Sequence, residues 1–287
     1  PGIDTYISVI ASLSGSTATA GDLHTIDANT TMTVNATGIG TISGTAAELA
    51  TVLGASGVDT ASGVLVILSG SSASAQDLNT IDANTTMTVD ATGITTITGT
   101  APEIVAAINA TGMTFGTSYG VTVDTGTVAD LAWIATNPTF SALSWNMAVS
   151  DSMANVQAHT FDLSSNASHI SSVTVHAAAN DLSNTGMLVG SLSGIPWSVL
   201  VSDNMANVQS HTSDLSFNAS YIGSVTIHAT AADLGSMWML TGPLSLISWG
   251  VEVSDSMANV QAHTFDLSSN ASHISRVTVH ATAADLS

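Results

Sequence analysis

The stretch Thr45-Ala-Ala-Glu-Leu49 returns, with variations, along the whole chain. In the first half it recurs as Thr19-Ala-Gly-Asp-Leu23, Ser74-Ala-Gln-Asp-Leu78, Thr100-Ala-Pro-Glu-Ile104 and Thr127-Val-Ala-Asp-Leu131. In the second half it reads Ser152-Met-Ala-Asn-Val156, Ala178-Ala-Asn-Asp-Leu182, Asn204-Met-Ala-Asn-Val208, Thr230-Ala-Ala-Asp-Leu234, Ser256-Met-Ala-Asn-Val260 and Thr282-Ala-Ala-Asp-Leu286. Successive copies start 25 to 29 residues apart, most often 26. A hydroxyl followed three positions later by a carboxylate is the pattern of a capping box, in which each side chain satisfies a free backbone N–H of the first helical turn. The carboxylate also faces the positive end of the helix dipole. Each copy therefore predicts a helix start.

Short β-branched runs precede these starts. They include Tyr6-Ile-Ser-Val-Ile10, Val64-Leu-Val-Ile-Leu68, Gly120-Val-Thr-Val123, Trp197-Ser-Val-Leu-Val201, Ser224-Val-Thr-Ile227 and Gly250-Val-Glu-Val253. One strand and one helix per ~26 residues makes consecutive strands parallel, with the helix as crossover. The expected fold is α/β: a repeat solenoid with a parallel β-sheet on one face and short helices on the other.

A longer period divides the chain. Ile26-Asp-Ala-Asn-Thr-Thr-Met-Thr-Val34 returns unchanged from Ile81 to Val89, an offset of 55. Val149-Ser-Asp-Ser-Met-Ala-Asn-Val-Gln-Ala-His159 returns, nearly unchanged, at Val201 and Val253, an offset of 52. The expected organisation is an N-terminal solenoid over 1–131, a joint over 132–148 and a C-terminal solenoid over 149–287.

Composition excludes several classes. The chain carries 21 acidic side chains, one arginine (Arg276) and no lysine, a formal net charge of −20. Nucleic-acid binding needs cations to displace phosphate counterions, so no nucleic-acid partner is expected. No apolar run reaches the ~20 residues of a membrane helix, so no membrane insertion is expected. With no cysteine, disulfides and thiolate metal sites are excluded.

The Val-Ser-Asp-Ser-Met-Ala-Asn-Val-Gln and Thr-Ala-Ala-Asp-Leu series resemble repeats of large bacterial surface and secreted proteins, namely S-layer-like and type I-secreted adhesin-like repeat proteins. The resemblance spans nearly the whole chain. It implies a secreted, cell-surface location and a use for calcium. The GGxGxD nonapeptide of calcium-binding members is absent.

Eleven acids fall at helix starts: Asp22, Glu48, Asp77, Glu103, Asp130, Asp151, Asp181, Asp203, Asp233, Asp255 and Asp285. The other repeating acids, Asp27, Asp82, Asp162, Asp214 and Asp266, are the candidate calcium ligands. Equivalent rungs lie about 10 Å apart, and calcium takes 6–8 oxygens, so one row alone does not cage an ion. Two rows, or two chains, would have to converge. His159/His211/His263 and His176/His228/His280 are periodic too, and His169/His273 is interrupted by Tyr221. They read as repeat positions, because the same spacing is too wide for one zinc ion.

Catalytic sites are singular, whereas the polar residues here recur and no GxSxG elbow is present. No enzyme is expected. The chain stops at Ser287, one residue past the eleventh copy, with no polar cap in view. The expected function is a non-enzymatic extracellular structural protein that self-assembles, head-to-tail or by strand donation, into a filament or surface layer. The alternative is the repeat or stalk region of a large secreted adhesin whose binding domains lie outside this chain.

Overall fold

A computed structural model describes residues 11–86, 88–282 and 285. The Tyr6–Ile10 run and the final Ala283, Ala284 and Leu286 lie outside the described residues. The chain is α/β: strands pair in parallel and alternate with helices. It divides into two compact units, one made of the residues up to Gly126 together with Ala132–Met147, the other of Thr127–Leu131 and the residues from Ala148 onward.

In the first unit helices begin where the capping motif places them. They span Ala20–Ala28, Ala46–Gly54, Ala75–Asn84 and Ala101–Asn109. The Thr45 hydroxyl accepts from Glu48 N–H at 3.3 Å while Glu48 Oε2 accepts from Thr45 N–H at 2.9 Å. Thr100 and Glu103 repeat this box, with Pro102 in the first turn, where its missing N–H is no loss. Leu23, Leu49, Leu78 and Ile104, the aliphatic that closes each motif, are all fully buried. The motif thus sets both the helix start and its first core contact.

The strand count per coil is a correction. The first unit has two strands per coil, one before and one after each helix. Thr17–Thr19, Thr41–Gly44, Leu65–Leu68, Val89–Ala91 and Met113–Phe115 lie side by side in that order. Ser72–Ser74, Thr96–Gly99 and Gly120–Gly126 form another row, and Val34–Ala36 pairs with Val58–Thr60. The post-helix strands are three residues long. Val34 and Ala36, or Val89 and Ala91, point inward around one outward residue. The long spacing between the second and third helices has a cause: three strands, Val58–Thr60, Leu65–Leu68 and Ser72–Ser74, fit between them, one more than between the first and second or the third and fourth. Gly70 turns the chain from one to the other at φ +93°, a conformation glycine adopts without strain.

Between Trp133 and Trp145 an aromatic cluster forms. Phe140 is almost fully buried and meets both tryptophans edge-on, with centroids at 6.4 and 6.2 Å. Asn137 caps the short Pro138–Ser141 helix through Thr139 N–H.

In the second unit strands Ile170–Ala177, Trp197–Asn204, Ile222–Ala229, Trp249–Ser256 and Ile274–His280 are neighbours in chain order. Register partners such as Val175↔Val199, Val201↔Val225 and Val253↔Val277 stack the inward valines in a row. Helices alternate with tighter turns. The Met-Ala-Asn-Val motif opens α-helices at Met153–Ala158, Met205–Ser210 and Met257–Ala262. The Asp-Leu motif instead opens 3₁₀ turns at Ala179–Asn184 and Ala231–Ser236. Asn180, Ser183 and Asn184 in the first turn, and Gly235 and Ser236 in the second, propagate an α-helix poorly.

Candidate functional site

The acids at helix starts fall into two kinds. Asp130, Asp181 and Asp233 accept the N-cap N–H of their own turn, from Thr127 at 2.7 Å, Ala178 at 2.9 Å and Thr230 at 2.7 Å. Asp151, Asp203 and Asp255 sit one residue before the next N-cap and reach across to the preceding coil. Their Oδ2 atoms accept from Val128, Ala179 and Ala231 N–H at 3.2, 3.0 and 3.0 Å. The other oxygen of each accepts from the following N–H and from the side chain of Asn155, Asn207 or Asn259. Each carboxylate of this second kind therefore joins two coils. Asp203→Ala removes three hydrogen bonds and strands a half-buried N–H, so about 2 kcal/mol of stability should be lost. Urea unfolding checks this; Asp203→Asn, which keeps an acceptor, should cost less.

These hydrogen bonds favour ionised carboxylates. The backbone and hydroxyl of Thr45 hold Glu48 below its ordinary value, and the hydroxyl and backbone of Thr100 do so for Glu103. Thr92 lowers Asp90, and Asn259 and Ser256 lower Asp255. Burial pushes Asp151 upward, but bonds from Asn155, Ser152 and Val128 outweigh it and the net shift is down. A lowered folded-state pKa gives stability that is present above the unfolded carboxylate value, about 4, and lost as pH falls through the folded value. The contribution of these groups to the melting temperature should be level from pH 7 to 5 and decline below about pH 4. A pH series on Glu48→Gln/Glu103→Gln should show a shallower acid limb.

The candidate calcium acids are dispersed. The Asp27 carboxylate lies against Gly57 and that of Asp82 against Gly112, where a methyl group on either glycine would make the carboxylate move. Asp162 and Asp266 hold His159 Nδ1 and His263 Nδ1 at 2.9 and 3.1 Å. The third member of that row differs: His211 Nδ1 is buried without a hydrogen-bond partner, and Asp214 does not reach it. Among the described residues no three His, Cys, Asp or Glu side chains form a metal-binding group. The interrupted histidine row has a packing explanation. His273 stacks on Trp249 at 4.0 Å and Tyr221 on Trp197 at 4.7 Å, so the position calls for a flat ring.

The outward face of the second unit's sheet gathers the remaining polar chemistry. Ser150–His176, Ser202–His228 and Ser254–His280 are hydrogen-bonded through Nε2 at 2.8, 2.9 and 2.8 Å, one pair per double coil. Beside the middle pair lies an open groove of about 490 Å³ lined by His228, Asp233, Glu252, Ser254 and Arg276, among others. His228 Nδ1 is 3.6 Å from Glu252 Oε2. Glu252 and Arg276 are register partners on adjacent strands. Repeat periodicity alone does not point to this place, since periodicity marks what recurs. The signal was the departure: Leu200 stands where Glu252 does one period later, and Ser172 and Ser224 stand where Arg276 does.

Comparison with protein-family models, curated proteins and solved structures finds no match. Among the described residues no helix is long and apolar enough to cross a membrane.

The second unit also presents an open face. Along Ile274–His280, Val277 is 42% exposed and Val279 38%. Their counterparts Val225 and Ile227 are 1% and 0% exposed. Met205, Val208 and Leu215 are buried, whereas Met257, Val260 and Leu267 at the same repeat positions are half-open. The last described strand thus shows side chains that every earlier coil covers with a successor.

Proposed function

We propose that this chain is a secreted, cell-surface structural protein: an α/β solenoid whose copies add coil upon coil, head-to-tail, into a filament or surface layer. The observation that supports this reading is the repetition itself: the strands from Ile170 to His280 pair in parallel, each with its neighbour in chain order. The edge of such a parallel sheet is a template for another parallel strand. A contact between unlike faces propagates instead of closing on itself. The repeats that resemble S-layer-like proteins fit such a role. Purified protein examined by negative-stain microscopy across salt and calcium concentrations should show elongated assemblies. Dispersed particles of 28.8 kDa under every condition would sink the proposal. The same edge also suits a further coil of a longer chain, as in the stalk of a large adhesin; an extended reading frame with unrelated flanking domains would favour that alternative.

A further inference from the structure

We propose that the groove around Glu252 and Arg276 binds a small zwitterion, a molecule carrying a carboxylate and an ammonium group close together, such as a free α-amino acid. The repeat supplies an internal control. In the preceding double coil the equivalent register partners are Leu200 and Ser224, an apolar and a neutral residue. One period later the same two places hold Glu252 and Arg276, opposite charges on adjacent strands. Nothing in the repeat's packing requires this change, because both positions face outward and the coils keep the same inward valines.

Among the described residues Arg276 forms no ion pair, although Glu252 is its register partner. Glu252 instead approaches His228. Asp233, the other acid of the groove, is occupied by the backbone and hydroxyl of Thr230 at 2.7 Å each. Two charges of opposite sign stand on neighbouring strands, whose backbones run about 4.8 Å apart, so one small molecule carrying both charges can reach both side chains. A guanidinium takes a carboxylate through two parallel N–H bonds, and Glu252 then receives the ammonium. Each single-charge ligand meets a repelling group: an anion faces Glu252 and Asp233, a cation faces Arg276. A groove of about 490 Å³ has room for the whole molecule. This site lies on the sheet face and does not depend on self-assembly.

Glycine titrated into the ¹⁵N-labelled full chain, followed by NMR, tests it, with acetate and methylamine as half-ligands. Glycine should shift signals around residues 252 and 276, and each half-ligand should bind at least about tenfold more weakly. Glu252→Gln and Arg276→Gln should each weaken glycine by at least about tenfold. Both are surface changes, and an unaltered melting temperature will show that the fold persists. Leu200→Glu/Ser224→Arg should create a second set of shifting signals around residues 200 and 224. The proposal is overturned if glycine shifts nothing, if a half-ligand matches it, or if both single variants bind it unchanged.

Discussion

Leu215→Ala should cost about 2–5 kcal/mol, and the same change at Leu267 should cost far less. The two leucines hold one position in consecutive double repeats. Leu215 is fully buried, while Leu267 is half-open at the last described coil. Truncating a buried leucine removes its transfer free energy and leaves a cavity that neighbouring coils cannot collapse around. A leucine that already touches water loses only part of the first term and makes no closed cavity. Urea unfolding of the two variants, side by side with the parent, measures the difference. Equal losses would mean that the Leu267 face is covered in solution, and in assembled protein the Leu267 cost should climb towards the Leu215 value.

Val277→Asp/Val279→Asp should abolish self-association, by more than about a hundredfold, while leaving the single chain folded. These valines are already substantially exposed, so a polar side chain there costs the monomer little, within about 1 kcal/mol. Once a second copy stacks on the strand, both positions become core, and two unpaired carboxylates would be desolvated together. Sedimentation velocity reads the association and thermal melting reads the fold. Continued assembly of a folded double variant would show that copies meet elsewhere. Salt adds a check: a chain of net charge −20 repels its own kind, so parent assembly should strengthen with ionic strength.

The helix starts were legible because their determinants are local. Thr45 and Glu48, or Thr100 and Glu103, are three residues apart and cap each other directly. The burial of the following aliphatic was legible for the same reason. Strands such as Val34–Ala36 were not, because three residues hold too little alternation to stand out from a Thr- and Gly-rich background. The 3₁₀ turns at Ala179 and Ala231 keep the acid of the capping motif, but their caps, Ala178 and Thr230, make no side-chain hydrogen bond to the backbone of the turn. The double duty of Asp151, Asp203 and Asp255 was hidden as well. Their partners lie 23 or 24 residues back, a distance bridged only when parallel strands set the register. Among the candidate ligands, spacing identified Asp162 and Asp266 as one row but could not show that a histidine three residues earlier takes each of them. Glu252 and Arg276 became visible only as neighbours across two strands.

The carboxylates that span coils also bear on how the second unit would respond to tension. Strand-to-strand bonds and the Asp203 and Asp255 links both run from one coil to the next. A pull along that direction loads them one coil at a time, like teeth of a zipper, instead of shearing all of them together. Each coil that gives way would release roughly 90 Å of slack, at about 3.4 Å for each of some 26 residues. A material built from such coils would lengthen in steps under load and rewind coil by coil when released.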